Sequence, residues 1–310
     1  MMTDCDAPSE TTLLDQFEVI SAMELLGREL DKLQFLLDPI LPSVGLAMLA
    51  GPPKAGKSWF CLDIAQQLTD KGHEVYYIAA EDNLRRLQER LKQKAFKSPL
   101  KLKIHAGLSQ SHPLPRGKDA ITYIEEIFKK HKPTCIIIDT VASVLQPKAS
   151  TKNYDVTVQE YEVLRQLATD LGITILVVHH TKKQTDYAQT PIEQILGSTG
   201  IPATVETIMV MENIVGKMDR SLFVTGKDVE QDELLLTWNG GGFDFHEDAL
   251  TAKLGGSQKE ILDYIKQNPE CTQTQVVRSL KKNQGRVSKL ISQLLEQGLI
   301  TKRGKNYTAQ

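Results

Sequence analysis

The segment Gly51-Pro52-Pro53-Lys54-Ala55-Gly56-Lys57-Ser58 constrains this chain more than any other. Two glycines five positions apart, followed at once by lysine and serine, fit the pattern of a phosphate-cradling P-loop. With average residue usage the bare pattern arises by chance in about one 300-residue chain per hundred. Its context narrows the reading further. The apolar run "GLAMLA" (residues 45–50) leads in as a buried strand, and a helix is expected to begin near Lys57. Small residues let the backbone curl so that successive N–H groups face phosphate oxygens, and a helix N-terminus adds its positive dipole end. Gly51, Lys54, Ala55, Gly56, Lys57, Ser58 and Trp59 are therefore the expected nucleotide-binding residues. Lys57 would reach the β- and γ-phosphates and Ser58 a Mg2+ ion.

The rest of the chain supplies the sheet that such a loop needs. "HEVYYIAAED", "KLKIHAG", "TCIIIDT" and "ITILVVHH" read as strands. "NLRRLQERLKQ", "DAITYIEEIFKKH" and "YDVTVQEYEVLRQLATDLG" read as the helices between them. Continuous apolar strands separated by amphipathic helices predict a mainly parallel sheet covered on both faces. After Gly200 the pattern changes to "VETIMVMEN", "RSLFVTGKD" and "ELLLTWNGGGF", strands joined by short turns. "SAMELLGRELDKL" carries apolar residues at helical spacing ahead of the first strand. Residues 1–20, acidic and polar, are expected to be disordered, residues 21–245 to form the α/β domain, and residues 246–256 a linker.

Further chemistry gathers at the ends of these strands. Asp139 closes "CIIID", where a Walker-B carboxylate meets the metal ion. Thr140 stands where many P-loop motors carry their catalytic glutamate, so the base must come from elsewhere. Glu81 in "IAAEDN" ends the strand after the P-loop helix and can accept a proton from attacking water, with Asp82 the competing candidate. Of the adjacent His179 and His180, strand alternation lets only one face the phosphates. His180, at the strand end, is the expected one, and His179 a packed or hydrogen-bonded neighbour.

"LLDPILPSVGLAMLAGPPKAGKSWF", "IAAED", "IIIDT", "VVHHTKK", "LGSTG" and "VTGKDVE" recur in this order in RecA-like ATPases of the RepA type. Those are hexameric, helicase-like proteins of plasmids, phages and other mobile elements, and the resemblance covers roughly residues 20–245. It implies a RecA-like P-loop fold, ATP and Mg2+ as ligands, and a glutamate base in the "AED" motif. It also implies a histidine motif that couples hydrolysis to DNA, and a homo-oligomeric ring, hexameric in that family. In such rings a basic residue from the neighbouring subunit completes each site. Where the type member has an arginine after "GSTG", the segment "IPATVETIMVMEN" has neither Arg nor Lys. Lys227 in "TGKD" is the substitute, with Arg220 the runner-up. The resemblance further places Lys148, Lys152, Lys182 and Lys183 in channel-facing loops, positioned to track single-stranded DNA, with Tyr154 or Tyr187 to stack on bases.

Charge sets the C-terminal segment apart. Residues 251–310 carry eleven Lys/Arg and four Asp/Glu, whereas the first 250 residues carry 26 basic and 35 acidic groups. A basic appendage on an acidic body suggests a nucleic-acid surface. Three short helical patterns and a hairpin around Gly304-Lys305 resemble a winged helix-turn-helix over residues 257–310, with Ser257 and Thr272 as N-caps. "QGRVSKLISQLLEQG" would be the recognition helix, with Arg286, Ser288 and Lys289 toward duplex DNA. "TKRGK" would be the wing, with Lys302, Arg303 and Lys305 against phosphates. No run approaches the roughly 18 apolar residues of a membrane span. The four cysteines are scattered and no secretion signal is legible, so a cytoplasmic protein without a membrane partner is expected. An ATP-hydrolysing DNA motor leads this reading. An ATP-switched DNA-binding regulator or loader stands second, and a small-molecule kinase third, disfavoured by the basic tail and the lack of an acceptor lid.

Overall fold

A computed structural model gives the fold. It describes residues 19–30, 32–94, 96–107, 114–145, 154–182, 190–195, 200–214, 217–245, 256–280, 282, 284–296 and 299–309. The chain divides into two compact units, Met1–Leu33 and Gln34–Gln310.

The described part of the first unit holds helix α1, Ala22–Gly27. A capping box starts it: the Ser21 hydroxyl accepts from the Glu24 N–H, and the Glu24 carboxylate accepts from the Ser21 N–H, both at 3.1 Å. The apolar spacing predicts a longer helix, through Leu33. The helix instead ends at Gly27, and Arg28 is extended (φ −80°, ψ 134°). No residue of α1 is buried, so the cap alone favours the helix, and capping without packing sustains only a short one. The expectation of disorder for residues 1–18 lies outside the described residues.

The second unit begins with a small antiparallel pair, β1 (Phe35–Leu37) and β2 (Leu41–Pro42). Strands and helices then alternate: β3 (Gly45–Gly51), α2 (Lys57–Asp70), β4 (Val75–Ala79), α3 (Leu84–Lys94), β5 (Leu102–Ala106) and α4 (Lys118–His131). They continue as β6 (Cys135–Asp139), α5 (Tyr154–Leu171), β7 (Thr174–His180) and the short α6 (Gly200–Thr204). The chain then turns to strands alone: β8 (Thr207–Asn213), β9 (Arg220–Gly226), β10 (Asp232–Trp238) and β11 (Phe243–Phe245). The nine main strands form one sheet in the order β11-β10-β9-β8-β3-β7-β6-β4-β5. The six from β8 to β5 are mutually parallel, and β9, β10 and β11 extend the sheet with antiparallel pairings.

Period-two alternation in strands buried on both faces feeds two cores. Ala47, Leu49, Ile137, Leu176 and Val178 pack with Phe60, Ile64 and Leu68 of α2 on one side. Met48, Ile136, Ile138, Ile175 and Val177 pack with Ile124 and Ile127 of α4 and with Tyr161 and Leu164 of α5 on the other. Each such side chain contributes about 1.5–3 kcal/mol on leaving water. The parallel strands all end at one edge, and β9 begins at that same edge, with Arg220 opposite Asn213. It finishes at the other edge, with Gly226 opposite Thr207.

The C-terminal elements are α7 (Gly256–Gln267), β12 (Cys271–Thr272), α8 (Gln273–Leu280), α9 (Gln284–Glu296), β13 (Ile300–Arg303) and β14 (Asn306–Ala309). Ile261, Ile265, Val276, Val287, Ile291, Leu294 and Tyr307 give them a core of their own. Thr272 caps α8, its hydroxyl accepting from the Gln275 N–H at 3.4 Å while Gln275 Oε1 accepts from the Thr272 N–H at 2.7 Å. The side chain of Ser257 and the linker over residues 246–255 lie outside the described residues.

Candidate functional site

The P-loop runs from the end of β3 to the start of α2, and both of its glycines are demanded by geometry. A Cβ at Gly51 would sit 2.7 Å from the Met211 carbonyl of β8. Gly56 has φ +103°, and a Cβ there would lie 2.8 Å from the Phe243 ring. Ala55 is buried between them and donates its N–H to the Pro52 carbonyl at 3.2 Å. Lys54 is exposed with φ +65°. Lys57, 6% exposed, donates through Nζ to the carbonyls of Gly51 (2.7 Å) and Pro52 (2.9 Å). Burial pushes its pKa down, opposed by the charges of Asp139, Cys61 and Glu81.

Asp139 ends β6, also 6% exposed. Burial pushes its pKa up, and hydrogen bonds from Ser58 and Tyr77 push the other way. The Tyr77 hydroxyl donates to it at 2.8 Å. A hydroxyl and a desolvated carboxylate side by side suit a hard divalent cation, whose charge would offset the burial penalty. Ser58 and Asp139 thus fit Mg2+, as the spacing implies. Tyr77 joins the site without a signal in the sequence, because a tyrosine inside an apolar strand reads as core.

Register brings the remaining groups in. Ala79 pairs with Asp139, which places Glu81, two residues on, beside Thr140. Thr140 Oγ1 donates to Glu81 Oε1 at 2.6 Å, so the residue that replaces the usual glutamate orients another one. Glu81 is exposed, whereas Asp82 is buried with one oxygen on Arg86 and the other on Arg90. Of the two, only Glu81 presents a carboxylate free of cationic partners among the described contacts. Gly51 pairs with His180, whose Nδ1 lies 3.5 Å from Lys57 Nζ. Burial, then Lys57, pushes the His180 pKa down, against the pull of Glu81 and Asp139, which favours the neutral ring at neutral pH. His179 points the other way, stacks on Tyr161 at 6.3 Å, and accepts the His180 N–H at 2.7 Å.

Other expected residues fall elsewhere. Trp59 stands in the first turn of α2, edge-on to Trp238 at 5.5 Å, with Arg90 and Lys94 over its ring. Lys227 is exposed just past β9, at the sheet edge remote from this chain's own P-loop, and its N–H donates to the Glu206 carbonyl at 2.9 Å. Arg220 lies at the P-loop edge instead, and its Nε donates to the Ala55 carbonyl at 2.7 Å. Lys182 is exposed after β7, while Lys148, Lys152, Lys183 and Tyr187, and the side chain of Tyr154, lie outside the described residues. Lys302, Arg303 and Lys305 are exposed on the β13–β14 hairpin, with Lys302 over the Tyr307 ring at 5.7 Å. Arg286, Ser288 and Lys289 fall on α9; Ser288 is exposed, and the side chains of Arg286 and Lys289 lie outside the described residues.

Comparison with known proteins adds relatives to this geometry. A family described as AAA domain matches residues 10–186, and the MarR family matches residues 253–306. The DNA repair protein RadA of Bacillus subtilis (strain 168) is 25% identical over 141 residues, 45% of this chain. RadA of Halalkalibacterium halodurans matches to the same extent, and the chain spans 28% of the length of these curated relatives. Among solved structures, one ATPase domain shares 14% identity at a TM-score of 0.54, covering 66% of this chain and 85% of that one. A DnaB-like replicative helicase, solved with a view to its interactions with primase, shares 15% identity at a TM-score of 0.53, covering 64% and 57%. At these identities the likeness shows the fold, a RecA-like α/β sheet, with a MarR-type winged helix at the C-terminus.

Proposed function

The chain belongs to the AAA domain family, and from that premise we propose that it is an ATP-hydrolysing motor that works on DNA. The observation that carries the reading is the meeting of four groups at one sheet edge: Lys57, the Ser58–Asp139 pair, the Thr140-oriented Glu81, and His180. Glu81 accepts a proton from a water that attacks the γ-phosphorus in line with the bond to the leaving ADP oxygen. Lys57 stabilises charge on the transferring phosphoryl group. Ser58 and Asp139 would hold Mg2+, which when bound neutralises charge on the β- and γ-phosphate oxygens. His180, beside Lys57, reports loss of the γ-phosphate to the chain that follows β7. Lys227 is exposed and remote from its own P-loop, so a nucleotide it served would be a neighbour's, in a ring like the hexamers of the resembling family.

DNA association is supported by the RecA-like fold, the MarR-type winged helix and the basic hairpin. Single-stranded DNA would follow Lys148, Lys152, Lys182 and Lys183, and duplex DNA would meet Arg286, Lys289, Lys302, Arg303 and Lys305. Replication or recombination of a mobile element is the corresponding role. A second reading, an ATP-switched regulator or loader, is favoured by the MarR family match over residues 253–306. Strand displacement from a forked duplex separates the two. A motor displaces the strand only while hydrolysing ATP, whereas a regulator binds duplex and displaces none.

A further inference from the structure

We propose that Arg220 is a positioning residue in cis, which aims the Gly56 N–H into the P-loop by holding the Ala55 carbonyl outward. The proposal rests on the reading of this loop as a nucleotide site. Its physical core is the planarity of one peptide unit. The Ala55 C=O and the Gly56 N–H belong to the same peptide unit, which is trans, so the two bonds point in opposite directions. Fixing the oxygen fixes the N–H. Arg220 Nε fixes that oxygen at 2.7 Å, from a strand outside the loop.

The donor is charged, and this adds a second effect. A guanidinium on a carbonyl polarises the whole peptide, which makes its N–H a stronger donor to an anion. The guanidinium is itself held in place. Nη1 donates to the carbonyls of Met218 (2.6 Å) and Asp219 (2.8 Å), and the group lies over the Phe243 ring at 5.8 Å. That ring closes the bracket, because it is also the wall that Gly56 abuts. Phe243 is tied in turn to the P-loop helix, its N–H donating to Asp63 Oδ2 at 2.9 Å. Arg220 and Phe243 therefore hold the C-terminal limb of the loop from β9 and β11, while α2 holds it from below. The same placement argues against the role of neighbour-directed cation for Arg220. Among the described residues its hydrogen bonds run to carbonyls at its own P-loop edge.

The test uses the full chain with Arg220→Met and Arg220→Lys. Mant-ATP and mant-ADP, each with Mg2+, are titrated to give Kd, alongside kcat at saturating ATP and Tm. Loss of one charge-assisted hydrogen bond to the cradle should weaken both nucleotides about tenfold in Arg220→Met, with kcat held within about twofold. Lysine keeps the charge but not the fork, so Arg220→Lys should lie between, at about threefold. Unchanged Kd with a lower kcat would return Arg220 to a role in trans and overturn the proposal. A lower Tm with unchanged Kd would make it merely structural and also overturn it. If Arg220→Met does not fold, Arg220→Lys decides alone: about threefold weaker binding sustains the proposal and wild-type binding ends it. A wild-type chain that binds neither nucleotide sinks the nucleotide reading itself. Wild-type binding with unaltered variants sinks only the inference about Arg220.

Discussion

Substituting alanine for Gly56 should damage the protein in two separable ways. The backbone there has φ +103°, a region where an L-residue is strained by about 1–3 kcal/mol. The new Cβ would also stand 2.8 Å from Cε2 and 2.9 Å from Cζ of Phe243, an overlap that typically costs about 1–3 kcal/mol. The total, about 2–6 kcal/mol, is a large share of the roughly 5–15 kcal/mol by which domains are ordinarily stable. Phe243→Leu removes the two atoms in conflict. In the wild-type background it should destabilise by roughly 1 kcal/mol or more through lost packing. In the Gly56→Ala background relief of the overlap, about 1–3 kcal/mol, should offset that loss, leaving the backbone strain behind. Urea unfolding followed by tryptophan fluorescence reads this region directly. The chain has two tryptophans, and Trp238 lies 5.1 Å from Phe243 while Trp59 is in the first turn of α2. Effects that add within about 0.5 kcal/mol would refute the claim that Phe243 is the wall of the P-loop.

Two further outcomes are expected. Thr140→Val keeps the shape of the side chain but deletes the 2.6 Å hydrogen bond to Glu81, so kcat should fall about tenfold with nucleotide Kd unchanged. Tenfold is the lower end for a charged bond, because water competes for an exposed carboxylate; unaltered kcat would show that this contact does not orient the base. The buried Asp63–Lys94 pair, which joins α2 to α3, should make stability depend on pH. Burial pushes the Asp63 pKa up to about 6 from 3.8, against the pull of Lys94. Because the folded value is the higher one, its stabilising effect is full below about pH 4 and is lost as pH rises through about 6. A double variant, Asp63→Asn with Lys94→Gln, should lack that slope. Its unfolding free energy relative to wild type should then rise by about 2 kcal/mol between roughly pH 4 and pH 7. A flat difference would show that Asp63 is ionised throughout that window.

Much of this molecule is legible in its sequence because its main signals are local. "CIIID" and "TILVVHH" are too apolar to be anything but buried strands, and strand alternation alone separates His180 from His179. The P-loop is legible because its chemistry is carried by consecutive residues. What escapes is set by pairing between distant segments. Arg220 reads as the second choice for a neighbour-directed cation until the antiparallel return of β9 carries it to Ala55, 165 residues away in the chain. Thr140 reads as the loss of a catalytic glutamate until the β4–β6 register sets it beside Glu81. Asp63 and Lys94 show no pattern because they lie on different helices, and only the packing of α3 on α2 joins them. The opposite error occurs at α1, where apolar spacing predicts a longer helix than a segment without buried residues sustains.

The central claim is that this sheet edge hydrolyses ATP in the service of DNA. The most direct test is the rate of phosphate release from MgATP with and without single-stranded DNA, in the wild type and in Glu81→Gln. The account predicts hydrolysis by the wild type that single-stranded DNA accelerates, and loss of turnover in a Glu81→Gln protein that still binds mant-ATP. Turnover that ignores DNA, or that survives in Glu81→Gln, would contradict it.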